Sequence, residues 1–121
     1  MKIIELAGTT AADGSLTLTG DKKVTGYLER IDYDYIDAAT GSDLVITTTG
    51  QAVSVPVTTV TDAGTSDVSW YPRTLANKVA DASAFTDVAE KIFLANESIK
   101  CVVAQGGNAK QVRLLIYVSN E

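Results

Sequence analysis

The side chains best suited to chemistry gather between Glu29 and Asp37, where Glu29, Asp32, Asp34 and Asp37 stand among Tyr33, Tyr35 and Ile36. Paired carboxylates are the equipment of glycoside hydrolysis, and three aspartates at short spacing invite comparison with a calcium loop. The calcium pattern breaks at Ile36, which holds the place of a third oxygen ligand. It also lacks the glycine that should follow and the bidentate glutamate further on. For hydrolysis, Glu29, Asp32 and Asp34 are the nearest candidates, but no convergent pair emerges, and alternation on one strand accounts for their spacing. Cys101 is the only cysteine and the chain has no histidine. A thiol nucleophile would lack its usual base, and the common triads and most zinc sites are excluded. Gly106-Gly107-Asn108 joins two strands and opens no helix that could cradle a phosphate. The expectation is a protein that is not an enzyme, with no cofactor, no metal and no small-molecule substrate.

The elements that must position these residues read as strands. From Ile99 to Val118, alternation about Gly107-Asn108 predicts a hairpin with a type II′ turn, in which Ile99 faces Ile116, Cys101 faces Leu114 and Val103 faces Val112. Lys100, Gln111 and Arg113 fall on the other face. Lys23 to Tyr35 predicts a long strand whose phase changes between Leu28 and Ile31, which calls for a bulge near Glu29-Arg30, and Gly26 allows close packing there. Lys2 to Leu6 is either an edge strand of this domain or an arm that adds to another chain's sheet. Ser15 to Thr19 alternates, with Leu16 and Leu18 on one face.

Asp43 to Thr49 and Gln51 to Thr61 predict two strands joined at Gly50, the second with Val53, Val55 and Val57 inward and Pro56 marking an edge or ladder break. Thr61 to Asp67 is a polar loop. Between Leu75 and Ala95, Phe85, Val88 and Ile92 follow helical spacing, as do Ala89 and Phe93, yet Ile92 to Leu94 reads better as a strand after a loop or one helical turn. About eight strands with turn signals between them predict an all-β fold: a single antiparallel β-sandwich, jelly-roll-like, with at most one short helix. At 121 residues one domain, 1–121, is expected, with residues 1–20 partly an N-terminal arm. The net charge of −5 argues against a nucleic-acid surface, and neither a membrane segment nor a signal peptide is expected, the opening apolar run being cut short by Glu5.

Three groups of residues are candidates for protein contacts. Pro72 stiffens the backbone around Trp70, Tyr71 and Arg73, residue types that often anchor interfaces, although a core tryptophan explains Trp70 equally well. Lys2, Ile3 and Ile4 are the arm candidates. Val102, Leu115 and Tyr117 give the outward face of the last two strands a mixed apolar character, for which a second buried layer is the other explanation.

Several stretches resemble small structural proteins of tailed bacteriophages, the capsid decoration or cement proteins with β-sandwich or jelly-roll folds. They are Gly26-Tyr27-Leu28 with Ile31 and Tyr33, Gly41 to Thr49, Trp70-Tyr71-Pro72-Arg73, and Lys100 to Lys110 running into Leu114 to Val118. The resemblance implies a virion component on the capsid surface, made in the host cytoplasm. Its partners would be the major capsid protein and further copies of itself as a dimer or trimer. A tail, baseplate or head-tail connector protein with a glycan-binding patch is the alternative within the same class.

Overall fold

The structure, a computed structural model, describes residues 1–120. Among them are ten strands and no helix: β1 (Lys2–Thr9), β2 (Leu16–Thr19), β3 (Val24–Tyr33), β4 (Asp43–Thr49), β5 (Pro56–Val60), β6 (Val68–Trp70), β7 (Arg73–Asn77), β8 (Ala84–Lys91), β9 (Phe93–Ala104) and β10 (Gln111–Ser119). Eight form one antiparallel sheet and β7 and β8 form a separate pair. The fold is all-β and sandwich-like.

Two long strands let one sheet supply two layers. The start of β3, Val24 to Tyr27, pairs with the start of β9, Phe93 to Glu97. Beyond that contact they part: β3 continues between β10 and β6, while β9 continues beside β4 and β2. One layer is therefore β1-β10-β3-β6 and the other β2-β9-β4-β5. Alternate residues of both point inward, among them Ile4, Leu6, Leu28, Ile31, Leu114 and Ile116 from the first and Leu44, Ile46, Ile99, Cys101 and Val103 from the second, all buried.

The expected bulge in β3 is present. Tyr117 pairs with Arg30 but Val118 with Leu28, so Glu29 is the extra residue, and Leu28 and Ile31 both reach the core. Gly26 is a point of close approach: a Cβ there would sit 1.8 Å from the Ser119 carbonyl oxygen, and its φ is +153°. Pro56 opens β5 at the sheet edge, opposite Thr47 where the register shifts.

Three expectations are corrected. The stretch from Ile99 to Val118 is not a hairpin: β9 pairs with β2, β3 and β4, and β10 with β1 and β3. The inward set was right, since Ile99, Cys101, Val103, Val112, Leu114 and Ile116 are all buried. Those side chains meet across the two layers, and residues 105–110 cross between layers instead of forming a type II′ turn. Thr10 pins that crossing, its hydroxyl donating to the Gly107 carbonyl at 2.6 Å and accepting from the Lys110 amide at 2.9 Å. Second, Val53 and Val55 lie outside any strand and are exposed, and only Val57 of the three valines is buried. Third, the region from Leu75 onward holds no helix, only an α-type turn in which the Ala82 amide donates to the Lys78 carbonyl at 2.9 Å, while Phe93 and Leu94 are in a strand as expected. Arg73 to Lys91 forms the β7–β8 hairpin, with Thr74 opposite Glu90 and Leu75 opposite Ala89. Because this hairpin packs no face on the core, no period of burial governs its sequence, and the helical spacing of Phe85, Val88 and Ile92 is coincidental.

Candidate interaction surfaces

Cross-strand partners share a face, so the ladders define what the outside of the β1-β10-β3-β6 layer presents. One row holds Ile3, Tyr117 and Arg30, with Tyr71 beyond Arg30; the next holds Glu5, Leu115, Asp32 and Ser69. Arg30 lies over the Tyr117 ring, 4.4 Å from its centroid, with Nε 2.9 Å from Asp32 Oδ1. The phenol oxygens of Tyr117 and Tyr71 hold the Arg30 pKa above its ordinary value. Burial works to raise the Asp32 carboxyl, but hydrogen bonds from Ser69 and Tyr117 and the Arg30 charge outweigh it, so Asp32 titrates below the usual range.

Tyr71, Arg73 and Tyr117 meet here with Met1, Glu29 and Arg30 around an open pocket of about 390 Å³. Arg73 Nη1 donates to the carbonyls of Pro72 at 2.7 Å and Glu29 at 3.4 Å, and among the described residues no carboxylate forms an ion pair with it. Its guanidinium is thus held in place by backbone, and its charge helps to hold down the Glu29 carboxyl in the same pocket. Lys91 pairs with Glu29 at 2.9 Å, and the Glu29 carboxyl is held down by a hydrogen bond from Ser119 first and by Lys91 second.

The other acids on or beside this face are occupied. Arg113 bridges Glu5 and Asp34, Asp37 accepts the Gln111 amide at 2.7 Å, and Asp67 accepts the Tyr35 amide at 2.9 Å. The carboxylates between Glu29 and Asp37 therefore tie strands together; Asp32 and Asp34 line one open pocket of about 270 Å³ with Asp67, while Glu29 lines another. Cys101 is fully buried, and burial pushes its thiol up to about 12.

A second surface is the β7–β8 hairpin. Every residue of β8 is exposed, and Leu75, Val79, Phe85 and Val88 offer apolar side chains to solvent. Phe93, half exposed at the start of β9, stacks obliquely on Tyr27 at 5.3 Å, and the two line an open groove of about 560 Å³ with Thr74, Glu90, Lys91 and Ile92.

The candidate contact residues are thus divided. Ile3, Leu115, Tyr117, Tyr71 and Arg73 belong to one outer face. Ile4 is 3% exposed and is a core residue. Lys2 lies at the start of β1, paired with Val118, in an edge strand that binds β10 along its whole length. Val102 lies on the outside of the opposite layer, beside Val45. Trp70 points inward opposite Ile31, stacked on Tyr33 at 5.8 Å and packed against the core. The hairpin apolar residues gave no interface signal in the sequence beyond their presence; Arg30 was missed as a contact residue, and its signal was a cation on a strand that also carries Tyr27 and Tyr33. Comparison with protein-family models, with curated proteins and with solved structures finds no match to this chain.

Proposed function

We propose that this chain is a structural protein of a bacteriophage virion, a decoration protein that stabilises the head by bridging capsid subunits. The observation that carries the assembly role is the β7–β8 hairpin. A two-stranded hairpin is marginal in water on its own, and this one exposes Leu75, Val79, Phe85 and Val88 without a core beneath them. Covering it with another subunit would remove that apolar surface from water, and a stable contact of this kind buries roughly 1,200 to 2,000 Å². The phage assignment rests on the resemblance of the Gly26–Tyr33, Gly41–Thr49, Trp70–Arg73 and Lys100–Val118 stretches to decoration proteins.

Cryo-electron microscopy of the parent particle tests the reading. The expected result is density for this chain on the head, with the hairpin seated on the shell protein. Density confined to the tail would replace it with the second reading, a tail, baseplate or connector component. That reading is favoured by the pocket between Arg30, Tyr71, Arg73 and Tyr117, whose planar polar and aromatic groups are the chemistry used to hold sugars. A glycan array separates the two, since binding that is lost in Tyr71→Ala belongs to the second.

A further inference from the structure

The eight-stranded sheet leaves one long edge open. Its outermost strands are β1, β2, β5 and β6, of which β2 and β6 are four and three residues long and β5 opens on Pro56 beside a register shift. β1 alone has eight residues, no proline and an unbroken register against its neighbour. Sheets blunt such an edge with proline, bulges or short strands, or else cover it. We propose that the free edge of β1 takes an extended segment of another protein as an added strand, with the acidic end of that segment against Lys2, Lys22 and Lys23.

The ladder fixes which groups are on offer. The Thr10 amide donates to the Lys110 carbonyl at 2.8 Å, one step beyond the pairing of Thr9 with Gln111, so Thr10 and Lys110 form a hydrogen-bonded pair. Such pairs alternate along an antiparallel ladder. Ile4, Leu6 and Gly8 therefore bond to β10, while Ile3, Glu5, Ala7 and Thr9 turn their amides and carbonyls away from it, and no other backbone group among the described residues bonds to these four. Main-chain hydrogen bonds to them would supply the affinity.

Charge selects the segment. Lys2, Lys22 and Lys23 line, with Ile3, Ile4 and Val24, an open pocket of about 350 Å³ where the edge begins, and among the described residues none of the three lysines forms an ion pair. Asp21, on the same turn, does not line it. Further along β1, Glu5 is already answered by Arg113. A strand laid on this edge thus passes from a positive end to a neutral one, and its own carboxylates belong at the first. Its inward side chains would cover Leu16, only partly buried beside Gly8, so alternate positions should be apolar. A second copy of β1 is a poor occupant: the two antiparallel registers of fullest overlap set Gly8 or Thr10 opposite Lys2, and neither answers its charge. The edge is separate from the β7–β8 hairpin, so the outcome below is independent of the virion assignment.

Amide hydrogen exchange of the full chain, followed by NMR, is the test. In the free chain Ile4, Leu6 and Gly8 should exchange at least about tenfold more slowly than Ile3, Glu5, Ala7 and Thr9. Two synthetic peptides of about ten residues, alternating Val and Thr with a run of Glu at the amino end of one and the carboxyl end of the other, allow for either strand direction. At about 1 mM, one of them should slow exchange at those four amides about tenfold, and the same peptide with Lys in place of Glu should not. Replacing all three lysines (Lys2→Glu, Lys22→Glu and Lys23→Glu) should reverse that preference. Ala7→Pro removes an outward donor and no bond to β10, so it should fold as the parent does and bind neither peptide. Four amides already protected in the dilute free chain, protection that appears on raising the protein concentration alone and so belongs to a second copy, binding of neither Glu peptide, equal binding of the Glu and Lys peptides, or a folded Ala7→Pro chain that binds as the parent does would each overturn the proposal.

Discussion

Replacing Trp70 by alanine separates the two roles its sequence context allows. The ring stacks on Tyr33 at an interplanar angle of 16°, lies opposite Ile31 in the β3–β6 ladder and packs against the core. Truncating a fully buried tryptophan costs about 3 to 5 kcal/mol. Trp70 is only partly buried but also loses a stacked aromatic pair worth about 0.5 to 1.5 kcal/mol, so a loss of about 2 to 3 kcal/mol is expected. At about 2.1 cal/mol/K per residue, unfolding 121 residues carries an entropy of roughly 250 cal/mol/K, and the Tm should fall by about 8 to 12 °C. Far-UV circular dichroism melts measure this without relying on the deleted fluorophore. Tyr71→Ala is the matched control: Tyr71 is 60% exposed, and its removal should change stability by no more than about 0.5 kcal/mol, or about 2 °C. A Trp70→Ala protein that melts within about 2 °C of the parent would refute the core role and return Trp70 to the list of contact residues.

Other consequences follow from single sites. Gly26→Ala would drive a methyl group against the Ser119 carbonyl at a bend joining both layers, and should cost about 3 kcal/mol or more in a urea melt; a loss below about 1 kcal/mol would show that β10 can move aside. Cys101 should resist iodoacetamide until the protein unfolds. Its thiol favours the neutral form in the fold, so its contribution to stability is complete below the unfolded value near 9 and declines as pH rises through about 12. Native-state labelling at neutral pH as fast as that of a free thiol would contradict this. Asp13 and Asp81 sit in matching Asp-x-Ser clasps, each accepting from the serine hydroxyl at 2.7 Å and the serine amide at 3.0 Å, and both carboxyls are held below their ordinary values. Their NMR titrations should run below that of a free aspartate, and the stability they lend is present above the unfolded value and lost as pH falls through the folded one. Titration at the ordinary value would mean that the clasps are open in solution.

Alternation carried much of the fold because a half-buried strand must show it. The inward sets of β3, β9 and β10 were legible, and so was the bulge, since Leu28 and Ile31 cannot both face inward without an extra residue between them. Pro56 declared an edge by its missing donor. The hairpin β7–β8 was not legible, because exposed strands are under no packing constraint and Leu75, Phe85 and Val88 fall at whatever spacing their other contacts require. Val53 and Val55 misled for the converse reason: alternation continued past the end of the ladder. Of the contact residues, Tyr71, Arg73 and Tyr117 were recognisable by type, but their meeting with Arg30 depends on β10 and β6 flanking β3.

By itself the sequence determined which side chains of β9 and β10 turn inward, where β3 must bulge, and that the architecture is all-β, because these follow from a two-residue period and from strand and turn chemistry. Only the tertiary structure decided which strand lies beside which. An apolar face is satisfied equally by a neighbour in the same sheet or by the facing layer, and alternation is identical in both cases. In this chain the second outcome holds for β9 and β10: the Thr10 hydrogen bonds and the crossing at residues 105–110 carry them into different layers.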